Sequence, residues 1–468
     1  MGPILILSVL NSKISFGWFT IGEQMHNFLS WTGPHSLSDS KTNQEYRNIL
    51  ERLNIETDKI KEEFSKKYNT SYASLYLPFD TQLLIDIKKI VHEKKKLDPK
   101  ILLIIGIGGS NLGTKAVVQA LLGSYYNDLN VGPKIYFADT LDSQYTQQLS
   151  TILHRELQAG NKIVINVITK SGTTTETIAN FKFYYELLKQ YHPENSHEYI
   201  VATTDFNSPL YQFSQENNIV TLPIPKEVGG RYSIFSAVAL FPLCILNIDI
   251  DGLSTGARDL LNSSLFNQNR DKNYPAQSAA AIYYYFTQQY TIHNTFLFSS
   301  ELEYFGSWYR QLMGESIGKE YDIHNKKVDI GIMPTISIGS TDLHSVAQLY
   351  LGGPNNIFTT FINSINVTPS ISIPSKSAIA WIPGIAGKNM HELMHILFQA
   401  TQAAYTKSNR PFCTISIRDF SASCIGALLQ FKMLEMMYLG YLLQVNPFDQ
   451  PAVEKYKQEA RRILFDEK

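Results

Sequence analysis

Short apolar, β-branched runs alternate with stretches of helical periodicity through most of this chain, and that alternation limits the fold more than any other feature. "ILLIIGIGG" (101–109), "KIYFAD" (134–139), "KIVINVIT" (162–169), "EYIVATT" (198–204) and "NNIVTLPIP" (217–225) form one series. "NTFLFSS" (294–300), "VDIGIMPT" (328–335), "NIFTTFINS" (356–364) and "PFCTISI" (411–417) form another. Between them lie helix-like segments such as "TTTETIANFKFYYELLKQY", "LEYFGSWYRQLMGES" and "MHELMHILFQATQAAYTKS". Strands that are apolar at nearly every position are buried on both faces, so the pattern predicts parallel sheets covered by helices on each side. Two α/β units of similar size account for the two series. Residues 20–97 read as mainly helical, and a long helix is expected over about 419–444.

The 468 residues are too many for one small core, which fits the two units. Hydrophobic residues make up 44% and charged residues 18%, as in ordinary globular proteins. The formal net charge of −1 argues against a general nucleic-acid or acidic-membrane binder. The one dense basic run, Lys94-Lys95-Lys96, reads as a solvated helix end. Cys244, Cys413 and Cys424 form neither a metal-ligand spacing nor a disulfide framework, which suits a reducing, cytoplasmic setting. The start, "MGPILILSVL", is too short and lacks the basic flank of a signal peptide, so it reads as a packed terminal segment.

Two loops carry the chemistry. In "IIGIGGSNLGTK" (104–115), Gly106, Gly108 and Gly113 do not give the dinucleotide spacing GxGxxG, and no acidic residue ends a second strand at the expected offset. Gly108 to Gly113 followed by Thr114-Lys115 approaches GxxxxGK[ST], but the last two residues are exchanged, which misplaces the lysine and the hydroxyl. A plain strand-to-helix turn is the simpler alternative. Glycines nevertheless admit a ligand close to the backbone, a helix start attracts anions, and Ser110 adds a hydroxyl.

The second loop, "TKSGTTTET" (169–177), sets Thr169, Ser171, Thr173, Thr174 and Thr175 around Lys170 and Gly172. A capping box with Glu176 is the alternative, but a cap needs one hydroxyl and five are present. Hydroxyls and free N–H groups converging at a helix start make a phosphate cradle without a metal. Two such loops at the ends of parallel strands would share one crevice.

"GIGGSNLG", "TKSGTTTET", "GGRYSIFSA" (229–237), "GESIGKE" (314–320), "TDLHSVAQ" (341–348) and "NPFDQPAVEKYK" (446–457) together resemble, in order, the signatures of the glucose-6-phosphate isomerase (phosphoglucose isomerase) family, in its shorter bacterial form. The resemblance implies two sugar isomerase (SIS) domains, each a three-layer α/β/α sandwich on a five-stranded parallel sheet. It places a helical N-terminal segment at 1–80, the smaller first domain at 81–240 and the larger second at 260–432. A tail at 433–468 would complete the active site. It also implies a homodimer with shared sites, a sugar-phosphate substrate and no cofactor or metal.

By this resemblance Glu315 is the base that shuttles a proton between C1 and C2, and Arg231 faces the enediolate oxygen. His344, from the partner subunit, and Lys457 open the sugar ring. Ser110, Thr169, Lys170 (in part through its backbone), Ser171 and Thr174 hold the phosphate; Gln311 and Gln450 contact the sugar; Glu176 orients the histidine. The chemistry asks for these types. Aldose–ketose isomerisation needs a base at the carbon beside a carbonyl and a fixed cation for the oxyanion. Glu315 and Gln311 stand at i and i+4 on one helix face, whereas the bland reading of Glu315 is a solvated pair with Lys319. Ile317 replaces the usual asparagine or glutamate, which puts a local sugar contact in question, and Thr169 stands where serine is common.

Two rivals remain. "HELMH" (391–395) matches the zinc-peptidase motif HExxH, but no third ligand follows at a motivated position, and an amphipathic helix is favoured. A non-catalytic phosphosugar sensor would keep the two phosphate loops and could lose Glu315, Arg231, His344 or Lys457; all four are present.

Overall fold

The structure, a computed structural model, describes residues 28–34, 37 and 40–466 except 130, 131, 369, 370, 380 and 383. The apolar start lies outside the described residues. Twelve described strands are numbered β1 to β12 along the chain. The first sheet comprises β2 (Pro99–Ile105), β3 (Lys134–Ala138), β4 (Lys162–Ile168), β5 (Ile200–Thr204) and β6 (Val220–Pro223). All five are parallel, in the order β3-β2-β4-β5-β6.

The near-continuous apolarity of these strands has its cause in the pleat, which points alternate side chains to opposite faces. Leu102 and Ile104 of β2 enter one core cluster. Ile101, Leu103 and Ile105 enter another, against Leu149, Leu153 and Phe181 of the covering helices. The cluster holding Leu102 and Ile104 also contains Leu297, Phe358 and Ile415, so the two α/β units share one continuous core.

The second sheet joins β7 (Ile292–Leu297), β10 (Met333–Ile338), β11 (Ile357–Ser364) and β12 (Phe412–Ile417), all parallel, with β1 (Leu29–Thr32) antiparallel at the edge. Its order is β1-β12-β11-β7-β10. It therefore has five strands, of which one, antiparallel, is contributed by the N-terminal segment, which reads as mainly helical in the sequence. The run 328–335 also divides: β9 (Lys327–Ile330) pairs with β8 (Lys319–Tyr321) in a separate hairpin, and β10 begins two residues beyond Gly331.

The helix Ala422–Leu442 runs unbroken across the expected boundary at 432/433 and is buried over most of its length. It carries a fully buried ion pair, Lys432–Glu435 at 3.0 Å. Glu435 also accepts from Tyr309 (2.7 Å) and Ser278, which ties three helices at one carboxylate. The basic run is not simply solvated. Lys94 is buried, donates to the carbonyl of Glu198, and burial lowers its pKa to about 8.

Candidate active site

In the first sheet the chain leaves β2 toward β3 on one side and returns to place β4 on the other. The strand order thus reverses between β2 and β4, and a crevice opens beyond their C-terminal ends. The two loops singled out in the sequence occupy that crevice. A Cβ on Gly106 would lie 3.0 Å from the carbonyl of Ile168, so the loop after β2 rests on the end of β4.

Beyond β4, Thr174 is the N-cap of helix Thr175–Tyr191 but makes no side-chain cap bond. Its hydroxyl faces that of Thr169 at 3.1 Å, and Ser171 accepts from the N–H and hydroxyl of Thr173. Glu176 is the second helical residue rather than the third, which is out of register for a capping box. The first N–H groups of this helix are therefore left for another acceptor, which is what an anion site requires. Lys170 turns its ammonium to the carbonyls of Lys226 and Val228 (3.1 Å for the second), and burial lowers its pKa. That leaves its backbone at the loop.

The nucleotide alternatives fare worse. Asp139 directly follows β3, but its carboxylate is engaged by Lys115 (2.6 Å) and Asn111 (2.5 Å). The lysine of the imperfect GxxxxGTK stretch is the one consumed there.

The loop after β2 is bolted to the rest of the site through glycine. A Cβ on Gly109 would sit 2.2 Å from the carbonyl carbon of Gly230 and 2.6 Å from the nitrogen of Arg231. Gly108 has φ +60° and lies against the Gln311 amide. Arg231 is thereby fixed in the main chain, and its side chain is fully buried. Nε donates to Ser316 (2.9 Å); Nη2 donates to the carbonyls of Pro447 (2.5 Å) and Asp449 (3.0 Å). Nη1 reaches Glu315 Oε2 at 3.5 Å and Gln450 Oε1. Four of the expected residues thus meet at one point, since Gln311 donates to the other Glu315 oxygen at 3.2 Å. The buried carbonyl oxygen of Gln311 has no protein partner and can accept from a sugar hydroxyl. Glu315 is 31% exposed, at the wall of the site and not in bulk solvent.

The solvated Glu315–Lys319 pair does not form. Lys319 is buried and gives its ammonium to the main-chain carbonyls of Glu315 (2.6 Å) and Asp449 (2.7 Å). Burial, and the neighbouring Arg231, lower its pKa. Lys319, Ser316 and the carbonyls of 447 and 449 are supporting groups that the sequence did not mark. The only signal was their place inside or beside quoted motifs. Three expected residues remain apart from this cluster. His344 is exposed at the end of a short 3-10 turn. Lys457 is tied to Glu454 at 2.7 Å on the helix Val453–Asp466. Glu176 makes no described hydrogen bond to His344 within the chain.

Residues 94–468 match the family model described as phosphoglucose isomerase. A glucose-6-phosphate isomerase of Fusobacterium nucleatum is 32% identical over 429 residues, covering 89% of this chain and 92% of that one. One from Alkaliphilus metalliredigens is 35% identical, covering 80% and 81%. The chain belongs to the phosphoglucose isomerase family. Among solved structures, a hypothetical protein of Thermus thermophilus superposes with TM-score 0.81 at 25% identity, covering 93% of this chain and 99% of that one. A glucose-6-phosphate isomerase of Chlamydia trachomatis shares the fold, with TM-score 0.77 at 19% identity and coverage of 94% and 89%.

Ile317, the departure from the phosphoglucose isomerase pattern, is a core residue. Its side chain is fully buried in the main core cluster. The HExxH segment is also explained without catalysis. Glu392 closes a capping box with Asn389, which occupies the carboxylate that a peptidase would use as base. Among the described residues no group of three or more His, Cys, Asp or Glu side chains is placed to hold a metal. Nor is any described helix long and apolar enough to cross a membrane.

Proposed function

We propose that this chain interconverts D-glucose 6-phosphate and D-fructose 6-phosphate without a cofactor. The observation that carries the reading is the single cluster in which a buried guanidinium, a carboxylate and two glutamines meet beside an uncapped, hydroxyl-lined helix start. The dianionic ester docks on Ser110, Ser171, Thr169, Thr174 and the N–H groups after Gly172. That fixes the far end of the sugar so that C1 and C2 lie at Glu315.

Glu315 lifts the proton from one carbon and returns it to the next, a role that one carboxylate can fill in both directions. Arg231 stabilises the enediolate oxygen. Three of its nitrogen–acceptor directions are already held by protein, so the remaining Nη1 is aimed before charge develops and need not reorganise. Gln311 and Gln450 hold sugar hydroxyls.

Ring opening needs an acid–base pair, and we assign it to His344 and Lys457. Neither joins the cluster in one chain. We therefore propose a homodimer in which His344 crosses to the neighbouring site, oriented there by Glu176. The tail helix bearing Lys457 closes from its own subunit. Three unpaired cysteines agree with a reducing, cytoplasmic setting.

A coupled assay for glucose 6-phosphate formed from fructose 6-phosphate tests the activity; no turnover above background would overturn it. Mixing inactive Glu315→Gln and His344→Ala proteins tests the shared site. Hybrid dimers should recover up to about a quarter to a half of wild-type activity, because one of two sites is intact in each hybrid. Hybrids that form and stay inactive would refute sharing.

A further inference from the structure

The second sheet has its own point of strand reversal, between β7 and β11. A cavity of about 910 Å³ lies there, beyond the strand ends that carry Phe298 and Asn366. None of the proposed catalytic groups lines it. Its wall instead includes Met390, His391, Met394 and His395 of the unused HExxH segment. These four side chains stand as two Met-His pairs at i and i+4 on helix Met390–Lys407, so they share one side of it.

We infer that this cavity binds a soft monovalent metal ion, Cu(I), through His391, His395 and the thioether of Met394. The donor set decides the class. The carboxylates nearby are already engaged: Asp419 accepts from Arg418 (2.9 Å) and from the N–H of Ser421 (2.9 Å), Glu301 accepts from Ser124 (3.0 Å), and Glu392, beside the cavity, is held in its capping box. Imidazole and thioether remain, a combination that prefers Cu(I) to hard or carboxylate-seeking ions.

The ring geometry agrees. His391 places Nε2 3.0 Å from the carbonyl of Ile365, the usual way a ligating histidine spends its second nitrogen, and this leaves Nδ1 as a lone-pair donor. His395 makes no hydrogen bond among the described residues. The two ring centres are 6.5 Å apart. With metal–nitrogen distances of about 2 Å, two imidazoles on a nearly linear ion have centres about 6–6.5 Å apart, and on a tetrahedral ion about 5 Å. The separation is that of ordinary i,i+4 neighbours on a helix and lets both rings reach one ion; the soft donor set, not the angle, selects Cu(I). Met394 lines the same cavity from the intervening turn and would supply the thioether.

The test is an anaerobic titration with Cu(I) against a chromophoric Cu(I) chelator, using the full chain. Cys244→Ser is the background, because the other two cysteines are buried. One ion per chain is expected, with X-ray absorption showing two nitrogen ligands and one sulfur. His395→Gln should weaken binding about 100-fold and Met394→Leu about tenfold, with isomerase turnover and melting temperature unchanged as evidence of folding. Undiminished binding in His391→Gln/His395→Gln, no binding to the folded wild type, or tighter binding of Zn(II) than Cu(I) would each overturn the assignment.

Discussion

The two sheets are wound alike, yet only the first gathers hydroxyls at its reversal point for the proposed chemistry within one chain; the second offers from its strand ends only His344, after β10, toward the neighbouring subunit. In the first, the loops after β2 and β4 meet at the reversal point, and the hydroxyls gather there. In the second, the corresponding loops after β7 and β11 border a cavity with none of the proposed catalytic groups. The second unit contributes Glu315 from elsewhere. The helix Glu303–Ile317 follows β7 and must return before the parallel strand β10 begins, so its C-terminal end lies at the opposite edge of the sheet. Within one chain the proposed active site is thus the top of one sheet set against the bottom of the other. A shared winding dictates where a crevice opens; which end faces the neighbour decides what the crevice is used for.

The largest effect that can break this comparison is at Glu315. Glu315→Gln keeps the hydrogen bond with Gln311 possible but removes the base, and turnover should fall about 10⁴-fold while fructose 6-phosphate still binds. Near-normal turnover, measured by the coupled assay, would detach the second unit from the chemistry. Next in size is the ion pair beneath that helix. Glu435→Gln leaves Lys432 buried without its counter-charge and loosens Tyr309. A loss of about 3–5 kcal/mol in denaturant unfolding is expected. A loss under about 1 kcal/mol would mean water or a rearranged partner reaches Lys432.

The sequence announced the first sheet better than the second, for local reasons. Each strand of the first is a contiguous apolar run followed by its own loop, and both faces are buried, so the signal is strong. The four-residue β1 pairs with a strand almost 400 positions later, and nothing in "LSWT" reports that partner. Gly331 was read as part of one strand, but a Cβ there would lie 3.3 Å from Gly318, and the chain turns to permit this approach. Lys319 illustrates a different limit. Spacing placed it beside Glu315 correctly, yet spacing cannot distinguish a carboxylate from a main-chain carbonyl as its acceptor. Arg231 was legible only through its motif, because its role depends on carbonyls more than 200 residues away.

Comparing hydroxyl side chains across the two crevices sharpens the contrast at lower cost to the fold. Ser171→Ala and Thr174→Ala, at the first reversal point, should raise KM for fructose 6-phosphate about tenfold each, the worth of one hydrogen bond to a charged acceptor. Ser300→Ala, which lines the second cavity, should leave KM unchanged. Equal effects at the two positions would mean that both crevices take part in holding the substrate.

The smallest effect concerns how the first sheet is anchored at its other end. Lys94 donates to the carbonyl just before β5, and burial holds its pKa near 8 against an unfolded value of 10.5. Between these pH values the unfolded chain binds more protons at this residue than the native one. Stability contributed by Lys94 must therefore rise with pH across that window, the reverse of an ordinary salt-bridged lysine. At pH 7 the native state bears the cost of a buried charge; above the unfolded pKa it keeps a neutral amine that can still donate to Glu198. Relative to Lys94→Met, the wild type should gain on the order of 1–2 kcal/mol between about pH 8 and 10.5, read from paired urea unfolding curves. A flat difference across that range would show that water screens the ammonium. The bottom of the first sheet would then be as accessible as its top, and the asymmetry between a closed end and an open, ligand-facing end would be lost.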